Sequence, residues 1–289
     1  MAVSGMNQLK VAMLFGMFMV LLAGVGALVG QFLFGGSWMF FMLIFIMLAA
    51  IINFVTYFWS DKIILSSYRA IPVTKIEAPR LYGIVERVVL KADMPMPQVV
   101  VIPKKTPNAF ATGRDKNHAV VAATQGLLEL LDDDELEGVI GHEMAHISNK
   151  DMMVMSAAAT IGAAISFIAQ IAIFSAIFGG GRDRDGGNII GLILMAVLAP
   201  IAAMLIQMAI SRNREYLADA GGAKITGKGW ALAKALKKLE KGNHKHPLRN
   251  GKNAHSSLFI VNPFTKKGIA GLFSTHPPVD ERIKRLKRL

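Results

Sequence analysis

Four long apolar runs divide the chain. Val11–Gly30 and Trp38–Trp59 lie near the start, and Met152–Phe178 and Ile189–Ile210 lie in the second half. Each is close to the roughly 20 residues that a helix needs to cross about 30 Å of hydrocarbon. A cleaved signal peptide is the alternative for the first run, but its length and the lack of a clear A-x-A site favour an anchor. Hydropathy predicts four hydrophobic helices, and leaves open whether the last two cross fully.

The segment from Asp61 to Asp151 has ordinary polar content and mixed periodicity. Glu77–Lys91 repeats its apolar residues at helical spacing, and Pro95 follows as a stop. Further segments, separated by turn residues, predict three short strands and two helices. In order these are Gln98–Ile102, Asn108–Thr112, His118–Ala122, the helix Gln125–Leu131 and the helix Asp132–Asp151. A small sheet therefore leads into a helix that begins with three aspartates.

This order predicts four regions: two transmembrane helices in 1–60, the first part of a polar domain in 61–151, a hydrophobic hairpin in 152–210 and the second part of that domain in 211–289. The last region contains two amphipathic basic helices, Lys224–Lys241 and Pro278–Leu289. The predicted class is α+β, mainly helical with a small sheet and four hydrophobic helices.

Composition and charge agree with a membrane protein. Apolar residues make up 53% of the chain, and mean hydropathy is +0.43. The absence of cysteine excludes disulfides, thiolate metal sites and a cysteine nucleophile. The net charge is +12, and the segment from Arg212 to the end holds 18 basic against 5 acidic residues. Beside membrane helices, this excess indicates a partner in anionic lipid rather than nucleic acid.

Lysine and arginine also predict the orientation. The connectors 31–37 and 179–188 hold only two arginines between them, whereas Lys10 precedes the first run, the region 61–151 holds 11 lysines and arginines, and the region from Arg212 to the end holds 18. The positive-inside rule therefore places both termini and the region 61–151 in the cytoplasm.

His142-Glu143-x-x-His146 is the main chemical signal. Four residues advance a helix by slightly more than one turn, so both imidazoles leave the same face and can bind one Zn²⁺. Glu143 is placed to act on a water molecule as general base without binding the metal. The alternative is two surface histidines on an acidic helix, so a third ligand is needed as corroboration.

Glu215 is the predicted third ligand. It lies just past the fourth apolar run, one helical turn before Asp219, which is predicted to accept the N–H of a ligating histidine and fix its tautomer. Arg212 or Arg214 is predicted to pair with a carboxylate here or with lipid phosphate. The alternative is that these are charges at the end of a membrane helix, as is common there.

Asn108–Thr112 is a candidate for substrate binding, because it has small side chains at several positions. Asn108, Ala109, Phe110 and Ala111 would form an edge that pairs with the main chain of an extended peptide. A merely buried strand is the equal alternative.

The chain resembles the HtpX-type membrane zinc metallopeptidases, in the wider group that includes the CAAX-processing Ste24 peptidases. The resemblance covers essentially the whole chain and rests on four segments: 108–113, 141–146, 211–220 and 274–283. It implies a bacterial inner-membrane endopeptidase that degrades damaged or misassembled membrane proteins. It implies that 61–151 and 211–289 form the two parts of a zincin-like catalytic domain. Within it, one zinc ion would be held by His142, His146 and Glu215, with Glu143 as general base. It also suggests that His276 lies near the cleft, although a His-Pro turn serves equally to begin the last helix.

Two other functions fit parts of the pattern. A site-2-type intramembrane protease also carries HExxH, but Asn149-Lys150-Asp151 after the motif indicates a wet neighbourhood. A non-enzymatic transporter or scaffold is the second, and the lack of ionisable residues within the apolar runs disfavours an ion pathway. The sequence does not indicate an oligomeric state.

Overall fold

The computed structural model describes residues 2–33, 36–113, 115–154, 157, 161, 212–245, 260 and 277–289. The third and fourth apolar runs lie largely outside the described residues, and His276 lies outside them as well. Within the described part, the chain is mainly helical with one small mixed sheet. This confirms the predicted balance of helix and strand.

Two long apolar helices begin the chain, α1 (Ala2–Leu33) and α2 (Trp38–Tyr68). Both are long and apolar enough to cross a membrane, with the candidate spans at Gln8–Gln31 and Trp38–Tyr68. They pack against each other along their length. Helix α2 continues beyond the predicted end at Trp59, and its last turns reach the polar part of the protein.

The sheet has four strands in the order β1-β2-β4-β3. Strand β2 pairs in parallel with β4, and the two remaining pairs are antiparallel. The strands are β1 (Ile71–Pro72), β2 (Gln98–Ile102), β3 (Ala109–Thr112) and β4 (Val120–Thr124). Sequence patterning predicted three of them, with β4 placed two residues too early, and missed β1. Strand β3 forms one edge of the sheet.

Each face of the sheet is covered by helices. Alternate residues such as Val99 and Val121 face the main core, whereas Val100, Ile102 and Phe110 face the other side. On that second side, Ile64 and Tyr68 from the end of α2 pack on the strands. Helix α2 therefore packs directly on the sheet, because alternate residues of β2 and β4 form an apolar face on that side.

Six further helices complete the described part. They are α3 (Pro79–Ala92), α4 (Gln125–Leu130), α5 (Asp133–Ser148), α6 (Arg212–Thr226), α7 (Gly229–Lys245) and α8 (Val279–Leu286). Helix α5 is the centre of the packing and contacts α3, α6, α7 and β3. The prediction of one basic helix over Lys224–Lys241 was wrong at its start. Gly227 has φ +70, a left-handed conformation that ends α6 and separates it from α7.

Candidate metal centre

Helix α5 has a well-defined start. The Asp132 side chain accepts from the Glu135 N–H at 2.9 Å, and the Glu135 side chain accepts from the Asp132 N–H at 3.0 Å. This capping box satisfies two amides that the helix would otherwise leave without partners. Thirteen successive residues, Glu135–Ile147, are buried. The HExxH segment therefore lies inside the protein, which excludes the alternative of two surface histidines.

His142 and His146 direct their Nε2 atoms toward one point. The two atoms are 3.2 Å apart, and each residue is at most 4% exposed. Glu215 of α6 approaches from the other side, with Oε1 3.5 Å from His146 Nε2 and Oε2 3.8 Å from His142 Nε2. Ligands of a tetrahedral zinc site with bonds of about 2.0–2.1 Å are separated by roughly 3.3 Å. The three side chains thus have the spacing that one divalent ion requires.

Two glycines bring α5 and α6 close enough for this meeting. A Cβ on Gly222 would lie 2.6 Å from the His142 nitrogen, and one on Gly141 would lie 2.5 Å from Thr226 Cγ2. These distances are shorter than side chains tolerate, so the helices cross with almost no space between their backbones. Glu215 and Asp219 lie on the same face of α6 as Gly222, at helical spacing. The close crossing therefore places both carboxylates against the histidines of α5.

Asp219 lies against the other nitrogen of His142. Its Oδ1 is 3.0 Å from His142 Nδ1, although the two groups are not aligned for a strong hydrogen bond. Arg282 of α8 forms a two-pronged ion pair with Asp219, at 2.8 Å from Nε and 2.7 Å from Nη2. Burial raises the pKa of Asp219, but the charge and hydrogen bonds of Arg282, together with His142, outweigh burial and hold the pKa at about 2. Asp219 is therefore a carboxylate that faces His142.

Arg282 is a residue of the site that sequence reasoning did not single out. It is fully buried, its Nη1 lies 3.5 Å from Glu215 Oε2, and it also donates to the Ile260 carbonyl at 2.8 Å. It lies within segment 274–283, which carries part of the family resemblance, but nothing in the sequence assigned it a role. Only the packing of α8 on α6 and α7 distinguishes it from the exposed arginines around it.

Asp151 is a second residue that sequence reasoning missed. Its Oδ2 lies 3.2 Å from His146 Nδ1, and the residue is 1% exposed. The interpretation of Asn149-Lys150-Asp151 as a wet segment is therefore wrong at Asp151. Burial lowers the pKa of His146, but the surrounding carboxylates, led by the hydrogen bond that His146 Nδ1–H donates to Asp151, raise it to about 9. The site consequently attracts positive charge.

Glu143 is buried beside the two histidines and contacts the sheet. Its Oε2 accepts the N–H of Ala111 at 2.7 Å. The Thr124 N–H donates to the Asn108 carbonyl at 2.9 Å, so alternation directs the main chain of Ala109 and Ala111 away from β4. The edge of β3 that pairs with none of the described strands therefore faces Glu143.

The residues predicted to bind substrate, and Arg212, do not share one environment. The side chain of Asn108 accepts from the Ile260 N–H at 3.2 Å, so it holds another part of the chain. Phe110 packs on Tyr68 on the far side of the sheet, with ring centroids 5.6 Å apart. Ala109 and Ala111 are buried. The Arg212 side chain lies outside the described residues.

The donor set and the local charge both fit a divalent ion. Six buried ionisable side chains lie around the two histidines: Glu143, Asp151, Glu215, Asp219, Arg214 and Arg282. Four carboxylates against two guanidinium groups leave a net charge of about −2 when the histidines are neutral. Buried charge is costly unless it is compensated, and one divalent cation would compensate it. Two imidazoles and one carboxylate form a ligand set that zinc accepts.

Comparison with known proteins agrees with this geometry. The model of peptidase family M48 matches residues 75–289. The "Protease HtpX homolog" of Thermococcus kodakarensis is 54% identical over 276 residues, covering 95% of this chain and 94% of that protein. The homologue of Pyrococcus furiosus is 51% identical over 270 residues, covering 93% of this chain and 91% of that protein.

A solved structure shares the fold. The crystal structure of S. mikatae Ste24p aligns with a TM-score of 0.50 at 18% identity over 95% of this chain, which spans 62% of that protein's length. At this identity the likeness concerns the fold alone. The family match and the HtpX relatives show the activity class, a membrane metallopeptidase, which removes the transporter and scaffold alternatives. This chain belongs to peptidase family M48.

Proposed function

We propose that this protein is a membrane-bound endopeptidase that uses one zinc ion held by His142, His146 and Glu215. The observation that carries the proposal is the meeting of Glu215, which lies far along the chain, with two imidazole nitrogens at 3.5 and 3.8 Å. When bound, a zinc ion supplies Lewis-acid polarisation of the scissile carbonyl and lowers the pKa of water. The remaining steps belong to side chains of this protein.

Glu143 is the proposed general base. It is buried, it shares the face of α5 near both histidines, and its Oε2 is held by the Ala111 N–H at 2.7 Å. Its other carboxylate oxygen remains available to take a proton from the attacking water. The same carboxyl group then delivers that proton to the nitrogen of the leaving amine. The Ala111 amide fixes the carboxylate in the orientation that both transfers need.

The substrate is proposed to bind as an extended peptide along the edge of β3 that faces Glu143. The carbonyl groups of Ala109 and Ala111 and the N–H of Ala109 point to that edge, whereas the Ala111 N–H is taken by Glu143. Recognition through the main chain gives affinity with little dependence on side chains. This mode suits a protease of damaged or misfolded membrane proteins, which share no sequence. Asn108 and Phe110 support the edge from within the protein.

The site is proposed to act at the cytoplasmic face of a bacterial inner membrane, with both termini on the same side. The support is the distribution of lysine and arginine along the chain and the direct packing of Ile64 and Tyr68 on the sheet. Anionic lipid is the proposed contact of the basic C-terminal region, and Arg212 and His276 are proposed to lie near the cleft.

The test is cleavage of casein by the purified full-length protein in detergent, with and without a chelator. The parent is expected to contain one zinc per chain and to cleave, and the chelator is expected to stop cleavage until zinc is restored. Glu143→Gln is expected to keep zinc and lose cleavage, whereas Glu129→Gln, at an exposed position of α4, should match the parent. A parent that cleaves equally well after complete removal of metal would contradict the proposal.

A further inference from the structure

The end of helix α5 has a specific geometry that connects Asp151 to His146. The Asp151 N–H donates to the His146 carbonyl at 3.0 Å, and the Lys150 N–H donates to the Ile147 carbonyl at 3.1 Å. Lys150, the residue before Asp151, has a left-handed backbone conformation with φ +58. These are the two hydrogen bonds and the reversed residue of a Schellman motif. The motif fixes the backbone of Asp151 against the backbone of His146.

The side chains of the same two residues are also in contact. Asp151 Oδ2 lies 3.2 Å from His146 Nδ1, and both groups are buried. His146 Nδ1 is the nitrogen that faces away from the metal-binding point, since Nε2 faces His142 and Glu215. A carboxylate at Nδ1 keeps the proton there and leaves the Nε2 lone pair free for a ligand.

The conformation of Lys150 carries a cost that local sequence does not explain. Glycine is the usual residue at this position of the motif, because a side chain with positive φ is disfavoured by about 1 kcal/mol or more. The surrounding structure therefore holds the turn in place. What this turn provides is the contact between the side chains of Asp151 and His146.

Arg214 adds to the local charge around Asp151. Arg214 is 7% exposed, and its two Nη atoms make no hydrogen bond to any residue that the structure describes. The carboxylates that favour its charge are Asp151 and Glu215. The buried guanidinium therefore adds a positive charge close to Asp151 and Glu215.

We propose that Asp151 is a positioning residue of the metal centre, which fixes the tautomer and the ring orientation of His146. The inference rests on the proposed function, because it assigns a role toward the same zinc ion. Each ligating histidine then has a carboxylate beside its Nδ1 atom: Asp219 beside His142, and Asp151 beside His146. Unlike Asp219, which comes from a different helix, Asp151 is supplied by the turn that ends the ligand helix itself.

The experiment compares the full-length parent with Asp151→Ala and Asp151→Asn in detergent. Zinc affinity is measured by competition with a chromogenic chelator, and the ligand field by the visible spectrum of the cobalt-substituted protein. Asp151→Ala is expected to weaken zinc binding by about ten- to a hundredfold and to shift the cobalt bands. Asp151→Asn keeps the volume and one acceptor oxygen, so it should fold like the parent and show a smaller loss of affinity.

Two controls separate this role from general stability. Asp93→Asn changes an exposed aspartate that also follows a helix in the left-handed region, and it should leave affinity and spectrum unchanged. Lys150→Gly keeps the motif and should bind zinc like the parent. A folded Asp151 variant with parental affinity and cobalt spectrum overturns the inference. A parent that binds no stoichiometric metal overturns the proposed function instead.

Discussion

Arg282 in the last helix donates two hydrogen bonds to Asp219, at 2.8 and 2.7 Å, and both side chains are buried. Asp219 in turn lies 3.0 Å from His142. Helix α8 therefore reaches the metal centre through one fully buried side chain, although its other charged residues, two acidic and two basic, are exposed. The C-terminal segment is part of the site rather than an appendage.

Removing Arg282 should damage both folding and metal binding. Truncating one partner of a buried ion pair typically costs about 3–5 kcal/mol, because the other charge is left uncompensated. Arg282→Ala is expected to lower the denaturation midpoint in detergent and to reduce the zinc content after dialysis. Arg282→Lys keeps the charge but not the planar fork, and it should recover only part of the loss. Arg288→Ala, at an exposed position nearby, serves as the control and should behave like the parent.

Gly222 should tolerate no side chain. A Cβ there would lie 2.6 Å from the His142 nitrogen and 2.9 Å from the Gly141 carbonyl carbon, and backbone atoms cannot move aside as side chains do. Gly222→Ala is expected to force α5 and α6 apart, with a loss of about 1–3 kcal/mol of stability and at least tenfold weaker zinc binding. Gly83→Ala in α3 is the matched control, since its nearest neighbour would be the end of a flexible arginine at 4.0 Å. That variant should be as stable as the parent or slightly more stable.

The acid sensitivity of the fold should depend on Glu137, which lies away from the metal centre. Its carboxylate accepts from Lys91 at 2.7 Å and from Lys228 at 2.8 Å, and so connects three parts of the chain. Burial raises the pKa of Glu137, but the two lysines outweigh burial and lower it below its ordinary value of 4.5. A lowered folded pKa adds stability that is fully present above the unfolded value and is lost as pH falls through the folded value.

Glu137→Gln should accordingly be destabilised by about 1–2 kcal/mol at pH 7, the size expected for a charge-assisted hydrogen bond. The difference from the parent should shrink as the pH falls below about 4.5 and vanish once the parent carboxyl is protonated. Urea denaturation at several pH values measures it. A difference that stays constant from pH 7 to pH 3 would show that the ionised form of Glu137 is not what stabilises the fold.

Local sequence was sufficient for the residues whose positions follow from one helix. His142 and His146 share a face of α5 by spacing alone, and Glu215 and Asp219 share a face of α6 in the same way. Sequence patterning also located most strands, because their apolar runs end at turn residues. The short strand β1 escaped because two residues carry no periodicity.

The residues that were missed depend on geometry that no period encodes. Asp151 reaches His146 through a left-handed turn at Lys150, where glycine would have been the visible signal. Arg282 is distinguished from its basic neighbours only by the docking of α8. Asn108 was predicted to bind substrate as part of a strand edge with small side chains; its side-chain oxygen accepts from the Ile260 N–H, a contact that no sequence pattern indicates. Tertiary packing decided each of these three cases.

The most direct test of the account is the zinc content of Glu215→Gln beside Glu143→Gln, measured on full-length protein together with casein cleavage. Both glutamates are buried within the same centre, and each substitution removes one charge at nearly constant volume. The account predicts that Glu215→Gln loses zinc and activity together, whereas Glu143→Gln retains one zinc per chain and loses only activity. Parental zinc affinity in Glu215→Gln, or parental cleavage by Glu143→Gln, would contradict it.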